Sequence, residues 1–172
     1  RPALQNVIDA AEGLGLTREV VNWVLGNVCR QIAEWDSLLP AGVAISVNAG
    51  PGPIDRNFAE AVLEAARAES VSPDRLSIEI TEESLERRAD VAAALQHLVA
   101  AGIAVVVDDF GTGYLSLAHL RELPITCFNI DKEFIDGVPG DHKDEAIVRS
   151  VVALASGLGI MTLAEGVENE EQ

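Results

Sequence analysis

Val105-Val106-Val107-Asp108-Asp109-Phe110-Gly111-Thr112-Gly113-Tyr114 is the stretch on which the fold turns. Three consecutive valines suit a strand buried on both faces, as in a parallel sheet. Two adjacent carboxylates at its end repel each other unless a cation or a proton lies between them. Gly111 and Gly113 let the backbone leave the strand sharply. The stretch therefore reads as a divalent-metal site at the mouth of a parallel barrel. The plainer alternative is an exposed loop that happens to contain Asp-Asp.

Working outward, four more apolar runs end in polar residues. Residues 43–48 form a short strand that finishes at Asn48. Residues 75–81 alternate, with Leu76, Ile78 and Ile80 on one face and Ser77, Glu79 and Thr81 on the other. Residues 127–131 carry Asn129 and Asp131 on one face, and residues 160–166 end in Glu165. Helical spacing fills the intervals: 1–15, a long helix with Thr17 as its N-cap that runs to Trp35, 54–70, 92–101, 115–123 and 144–157. Gly159 is expected to stop the last of these, and the tryptophans read as packing residues. Residues 168–172 are expected to open a further helix.

Strands alternating with helices indicate an α/β chain with a parallel sheet and right-handed crossovers. A TIM-type (β/α)8-like barrel accounts for the pattern better than an open sheet. Polar residues recur at the same end of every strand, and only closure brings them to one centre. A full barrel usually needs about 250 residues, and this chain has 172. Residues 1–172 are thus expected to be a single, partial barrel domain lacking the first and last barrel elements. The first residue is Arg1 and not Met, which fits a piece of something longer.

The formal net charge of −16 disfavours a basic surface for polymeric nucleic acid or anionic membrane. It leaves room for a small phosphate-bearing ligand if bound metal supplies positive charge locally. At 48 % hydrophobic residues the chain can bury a sizeable core. Cys29 and Cys127 form neither a metal-ligand spacing nor a disulfide framework, so a reducing cytosol is the simpler setting. The expected location is cytoplasmic, alone or as the cytoplasmic part of a larger membrane-bound protein. No apolar run reaches membrane-spanning length.

Asn48, Glu79, Asp108, Asp109 and Glu165 are all oxygen donors, a set that suits Mg²⁺ or Mn²⁺ over Zn²⁺ or copper. One carboxylate bridging two ions would explain the Asp-Asp pair, and two hard cations can clamp a phosphodiester. His97 and His119 fall within helical patterns and His142 in a charged loop, so none is read as a ligand.

Asp108-Asp109-Phe110-Gly111-Thr112-Gly113-Tyr114, Ile78-Glu79-Ile80-Thr81-Glu82, Val47-Asn48 and Ala164-Glu165-Gly166-Val167-Glu168 together resemble the EAL-type cyclic-di-GMP phosphodiesterases. The resemblance spans nearly the whole chain. It implies that Asn48, Glu79 and Asp108 hold a first metal. Asp108 would bridge, and Asp109 and Glu165 would serve a second. It implies that Glu82 supports the Asp-Asp loop, that Glu168 is a supporting carboxylate in the same mouth, and that Glu165 acts in catalysis. The implied reaction is two-metal, in-line hydrolysis of cyclic-di-GMP to the linear dinucleotide pGpG. The implied setting is a homodimer joined to other signalling domains.

Two departures stand out. The Glu-Ala-Leu strand that names the family is absent from this sequence. Asn129 stands at the position of the family's active-site lysine, in Asn129-Ile130-Asp131-Lys132-Glu133-Phe134. Asn donates a hydrogen bond but carries no charge. Lys132, three residues on in an extended strand, would leave on the opposite face and could not replace it. Weak or lost hydrolysis is therefore expected. Three readings compete: a metal-dependent phosphodiesterase, a catalytically degenerate cyclic-di-GMP receptor, and a dimerising regulatory module that binds neither metal nor nucleotide.

Overall fold

The computed structural model describes residues 4–40, 42–50, 52–86, 88–111 and 116–172. Thr112, Gly113 and Tyr114 of the Gly-rich turn, Leu115 at the head of the expected short helix, and Arg1, Pro2 and Ala3 lie outside the described residues. Helices α1 (Leu4–Leu14) and α2 (Thr17–Trp35) precede strand β1 (Ile45–Asn48). Then follow α3 (Arg56–Ala68), β2 (Leu76–Thr81), α4 (Arg88–Ala100), β3 (Ala104–Phe110) and α5 (Leu117–Leu120). The chain continues through β4 (Cys127–Ile130), α6 (Lys132–Asp136), α7 (His142–Leu158) and β5 (Met161–Ala164).

The five strands pair in chain order, β1-β2-β3-β4-β5, and every pairing is parallel. Consecutive parallel neighbours joined by helices are the repeating unit of a (β/α) barrel. The sheet is not closed, and β1 and β5 are its two edges.

Alternation within the strands decides what each face meets. Leu76, Ile78, Ile80, Val105, Val107, Phe128 and Ile130 are buried among the helices. Ala59, Val62, Leu63 and Ala66 of α3 and Leu95 and Leu98 of α4 belong to the same core. The other face carries the polar residues. Register pairs Ser46 with Ser77, Asn48 with Glu79 and Thr81 with Asp108, and it places Asn129 beside Leu163. Paired residues of neighbouring strands project from the same side. Asn48, Glu79, Asp108, Asn129 and, two residues beyond Leu163, Glu165 therefore share one face. Met161 and Leu163 on that face are exposed.

At the opposite end of the sheet, Arg75 is buried beneath the α2–β1 connection. Its Nη1 donates to the carbonyls of Pro40 at 2.7 Å and Val43 at 2.9 Å. Asp55 caps α3 by accepting from the Phe58 amide at 2.9 Å. Asp141 caps α7, and Gly159 closes that helix in the left-handed conformation, as expected.

Several expectations are corrected. Thr17 is the first helical residue of α2 and not its cap, because Leu16 occupies that position and no side chain caps the helix. Trp23 is 70 % exposed and Trp35 42 % exposed, so neither tryptophan is buried packing. Helical spacing puts Trp35 on the stripe of Val21, Val24, Leu25, Val28 and Ile32, at its C-terminal end, whereas Trp23 lies on the opposite face. His142 opens α7 instead of lying in a loop. Residues 168–172 form turns, with the Gln172 side chain accepting from the amides of Glu168 and Asn169. Among the described residues no helix is long and apolar enough to cross a membrane.

Candidate metal centre

The Asp-Asp pair sits in a β-bulge. Val107 pairs with Phe128 and Phe110 with Ile130, so Asp108 and Asp109 together oppose the single residue Asn129. An unbroken strand would send adjacent carboxylates to opposite faces. The extra residue bends the strand and re-aims its side chains. Asp109 takes φ +53°, a left-handed conformation uncommon outside glycine and favoured among other residues by Asn and Asp. Both aspartates consequently interact with Glu165, whose charge acts on Asp109 and which itself feels the charge of Asp108.

Asn129 is the centre of the cluster. It is 1 % exposed. Its Nδ2 donates to Asp108 Oδ1 at 3.2 Å and to Glu165 Oε1 at 3.1 Å. Its Oδ1 is buried without a hydrogen-bond partner. Glu165 follows β5 and is held to β4 by its amide, which donates to the Ile130 carbonyl at 3.0 Å. Glu79 stands on the same face, and Asn48 closes β1 opposite it.

The electrostatics are those of crowded acids. A shared hydrogen bond with Asp131 pushes the Asp109 carboxyl up to about 6, helped by burial and by the charges of Asp108, Asp131 and Glu165. Burial raises Glu165 as well. The charges of Asp108, Glu79 and Asp131 add to that, and the Asn129 hydrogen bond opposes it.

Asp131 is the residue that sequence reading leaves out of the cluster. It lies just beyond β4 and caps α6 by accepting from the Glu133 amide at 2.5 Å. Its place on the Asn129 face of the expected strand is the available signal. The strand in fact stops at Ile130, so Lys132 belongs to α6 and not to an extended segment. Lys132 is occupied elsewhere, with Nζ 2.9 Å from Asp136 Oδ1 and 2.9 Å from Glu168 Oε1. Glu168 is thereby drawn to Lys132 at the exposed edge of the site.

Glu82 follows β2 in a 3₁₀ turn and is 6 % exposed. Its Oε1 accepts from the Gly111 amide at 2.6 Å, tying the end of the Asp-Asp bulge to β2. Glu82→Ala removes that acceptor. The expected cost is about 1–3 kcal/mol, the usual range for stranding such a donor. Hydrogen exchange at the Gly111 amide should speed up in step, and an unchanged exchange rate would show that the loop is held by other means.

The donors fit a hard divalent cation in kind and in charge. Every candidate is an oxygen, and the charges that raise Asp109 and Glu165 are those of other carboxylates. Among the described residues no three Asp, Glu, His or Cys side chains converge tightly enough to enclose an ion. The acids stand apart around Asn129.

Metal-free stability should carry the mark of Asp109. Its proton is held more tightly in the folded state than in the unfolded chain, where the pKa is about 3.9. The raised pKa therefore favours the folded state most fully at low pH. That advantage declines as pH rises from about 4 through about 6. Asp109→Asn, which mimics the protonated group, should remove this part of the decline in melting temperature measured in EDTA. Identical pH slopes for the two proteins would refute the assignment.

The family comparison decides what this arrangement belongs to. The EAL domain family matches residues 2–172. The chain belongs to the EAL domain family. The bifunctional diguanylate cyclase/cyclic di-GMP phosphodiesterase MucR of Pseudomonas aeruginosa is 38 % identical over 164 residues, covering 94 % of this chain and 24 % of the relative. The cyclic di-GMP phosphodiesterase PA2567 of the same organism is 34 % identical over 166 residues, covering 95 % of this chain and 28 % of the relative. The EAL chain thus spans about a quarter of the length of these curated relatives. The solved MucR phosphodiesterase, in complex with c-di-GMP, superposes with a TM-score of 0.87 at 35 % identity, covering 99 % of this chain and 72 % of that one. Klebsiella pneumoniae BlrP1, solved as a manganese/cy-diGMP complex, superposes at 0.70 with 27 % identity, covering 86 % of this chain and 38 % of that one. BlrP1 has also been solved as a calcium/cy-diGMP complex.

Proposed function

We propose that this EAL domain, residues 1–172 of a partial barrel, binds cyclic-di-GMP with Mg²⁺ or Mn²⁺ and hydrolyses it slowly or not at all. The observation that carries this reading is the position of Asn129, buried between Asp108 and Glu165 and uncharged. Asn48, Glu79 and Asp108 would hold a first ion, with Asp108 shared and Asp109 and Glu165 on a second. Bound divalent metal supplies Lewis-acid activation of water and neutralises phosphate charge.

The chain's own residues set what can follow. Glu82 keeps the Asp-Asp bulge docked through Gly111. Glu168, paired with Lys132, supports the segment after Glu165. At the position where family resemblance calls for lysine, Asn129 brings an amide dipole and no charge. A fixed charge in a water-poor site stabilises developing negative charge far better than a neutral amide. The same proposal includes a homodimer and attachment to other signalling domains in the cytoplasm.

A second reading, an active phosphodiesterase, is favoured by the retained oxygen set Asn48, Glu79, Asp108, Asp109 and Glu165. Incubating the full-length protein with cyclic-di-GMP and Mg²⁺ or Mn²⁺, and following both binding and linear pGpG, separates the two. Binding without product supports the receptor, and turnover supports the enzyme. Absence of both nucleotide and metal binding would leave only a dimerising module.

A further inference from the structure

We propose that Asn129 is itself a metal ligand, adding an amide oxygen to the ion held by Asp108 and Glu165. The proposal rests on the metal-binding reading given above and goes beyond it, because there Asn129 is only a missing charge. Three observations lead to it. Asn129 Nδ2 lies 3.2 Å from Asp108 Oδ1 and 3.1 Å from Glu165 Oε1, spanning the two carboxylates that an ion would draw together. The residue is buried, so its amide does not leave for solvent. Its Oδ1 has no hydrogen-bond partner.

The last point leaves the Nδ2 hydrogen bonds as what orients the amide. A cation entering between Asp108 and Glu165 repels the N–H groups now facing them. Turning the amide about its terminal C–C bond exchanges Nδ2 for Oδ1. The oxygen gives up no partner in doing so, Nδ2 moves to the position that Oδ1 now holds, and the two carboxylates pass from the N–H donor to the ion. The turned amide presents a hard oxygen of the type Mg²⁺ and Mn²⁺ accept. The ion–oxygen contact would have to outweigh the two hydrogen bonds that Nδ2 gives up. The lysine-to-asparagine difference would then trade a catalytic cation for a fourth protein oxygen beside Asp108, Asp109 and Glu165.

Mn²⁺ binding to the full-length protein, followed by electron paramagnetic resonance without nucleotide, tests this. Asn129→Leu keeps the branched heavy-atom shape without the oxygen, and Asn129→Asp keeps an oxygen. The Leu variant should lose on the order of tenfold or more in affinity for one of two ions, the scale on which changes around a metal site act. The Asp variant should bind at least as tightly as the parent. Thermal melts followed by circular dichroism establish that each variant is folded. If the Leu variant does not fold, the Asp variant decides, since weaker binding than the parent overturns the proposal. Parent-like affinity in a folded Leu variant also overturns it. If the parent protein binds no Mn²⁺ at all, the metal-binding reading itself fails, a result distinct from loss of this ligand alone.

Discussion

Asn129→Lys is expected to raise the rate at which the full-length protein converts cyclic-di-GMP to pGpG, on the order of a hundredfold, the scale of a single preorganised electrostatic group. The new ammonium would enter between Asp108 and Glu165, which now accept from Asn129 Nδ2. A buried amine ordinarily loses its charge, but two adjacent carboxylates favour the charged form. The charge would therefore survive burial and face the phosphate and the attacking water. The assay is product formation at saturating Mn²⁺, so that any loss of metal affinity does not mask the gain. Parent protein that already turns over the nucleotide at a rate the substitution does not increase would show that the amide suffices. A lysine variant that binds nucleotide and metal yet stays inactive would place the defect elsewhere in the site.

Phe128→Ala is expected to have the largest effect on stability, a loss of about 3–5 kcal/mol in denaturant unfolding. Phe128 is 0 % exposed and stacks on Phe110, with ring centroids 4.1 Å apart and an interplanar angle of 12°. Truncation removes the ring's contacts and leaves a cavity that the parallel sheet cannot readily collapse around, because its backbone is fixed by ladders on both sides. The site should suffer with the core. Phe110 and Phe128 directly follow and precede Asp109 and Asn129, so the stack pins the bulge from its buried side. A loss below about 1 kcal/mol would mean that the helices repack over the gap, and the stack would not then be what holds the bulge.

Much of the fold and part of the centre are legible in the amino-acid sequence. The alternation of Leu76, Ile78 and Ile80 with Ser77, Glu79 and Thr81 follows from the two-residue period of a strand. It places Glu79 on the polar face, where register pairs it with Asn48. The triple valine ahead of Asp108 reads as a strand buried on both faces, and Val105, Val106 and Val107 are all buried. Trp35 escapes such reading because helical spacing sets the angle of a side chain about its axis, not what covers it, whereas the exposure of Trp23 follows from its place opposite the apolar stripe. Lys132 lies outside the polar cluster, as strand alternation requires, but for a different physical reason. The strand ends two residues earlier, and the lysine is turned away by α6 and by its ion pairs.

Sequence alone determined the order and polarity of the βα units, the oxygen-donor character of the strand ends and the neutral residue at Asn129, because these depend only on residue type and short-range period. Tertiary structure decided the rest. Two residues of β3 opposing one of β4 cannot be seen without the partner strand, and that mismatch brings Asp108 and Asp109 to bear on one centre. The carboxyl pair of Asp109 and Asp131, and the buried amide that joins Asp108 to Glu165, span 22, 21 and 36 residues of chain. Charge crowding and orphaned polar atoms are properties of distance in space, and the parallel sheet, by placing successive strand ends about 5 Å apart, sets that distance.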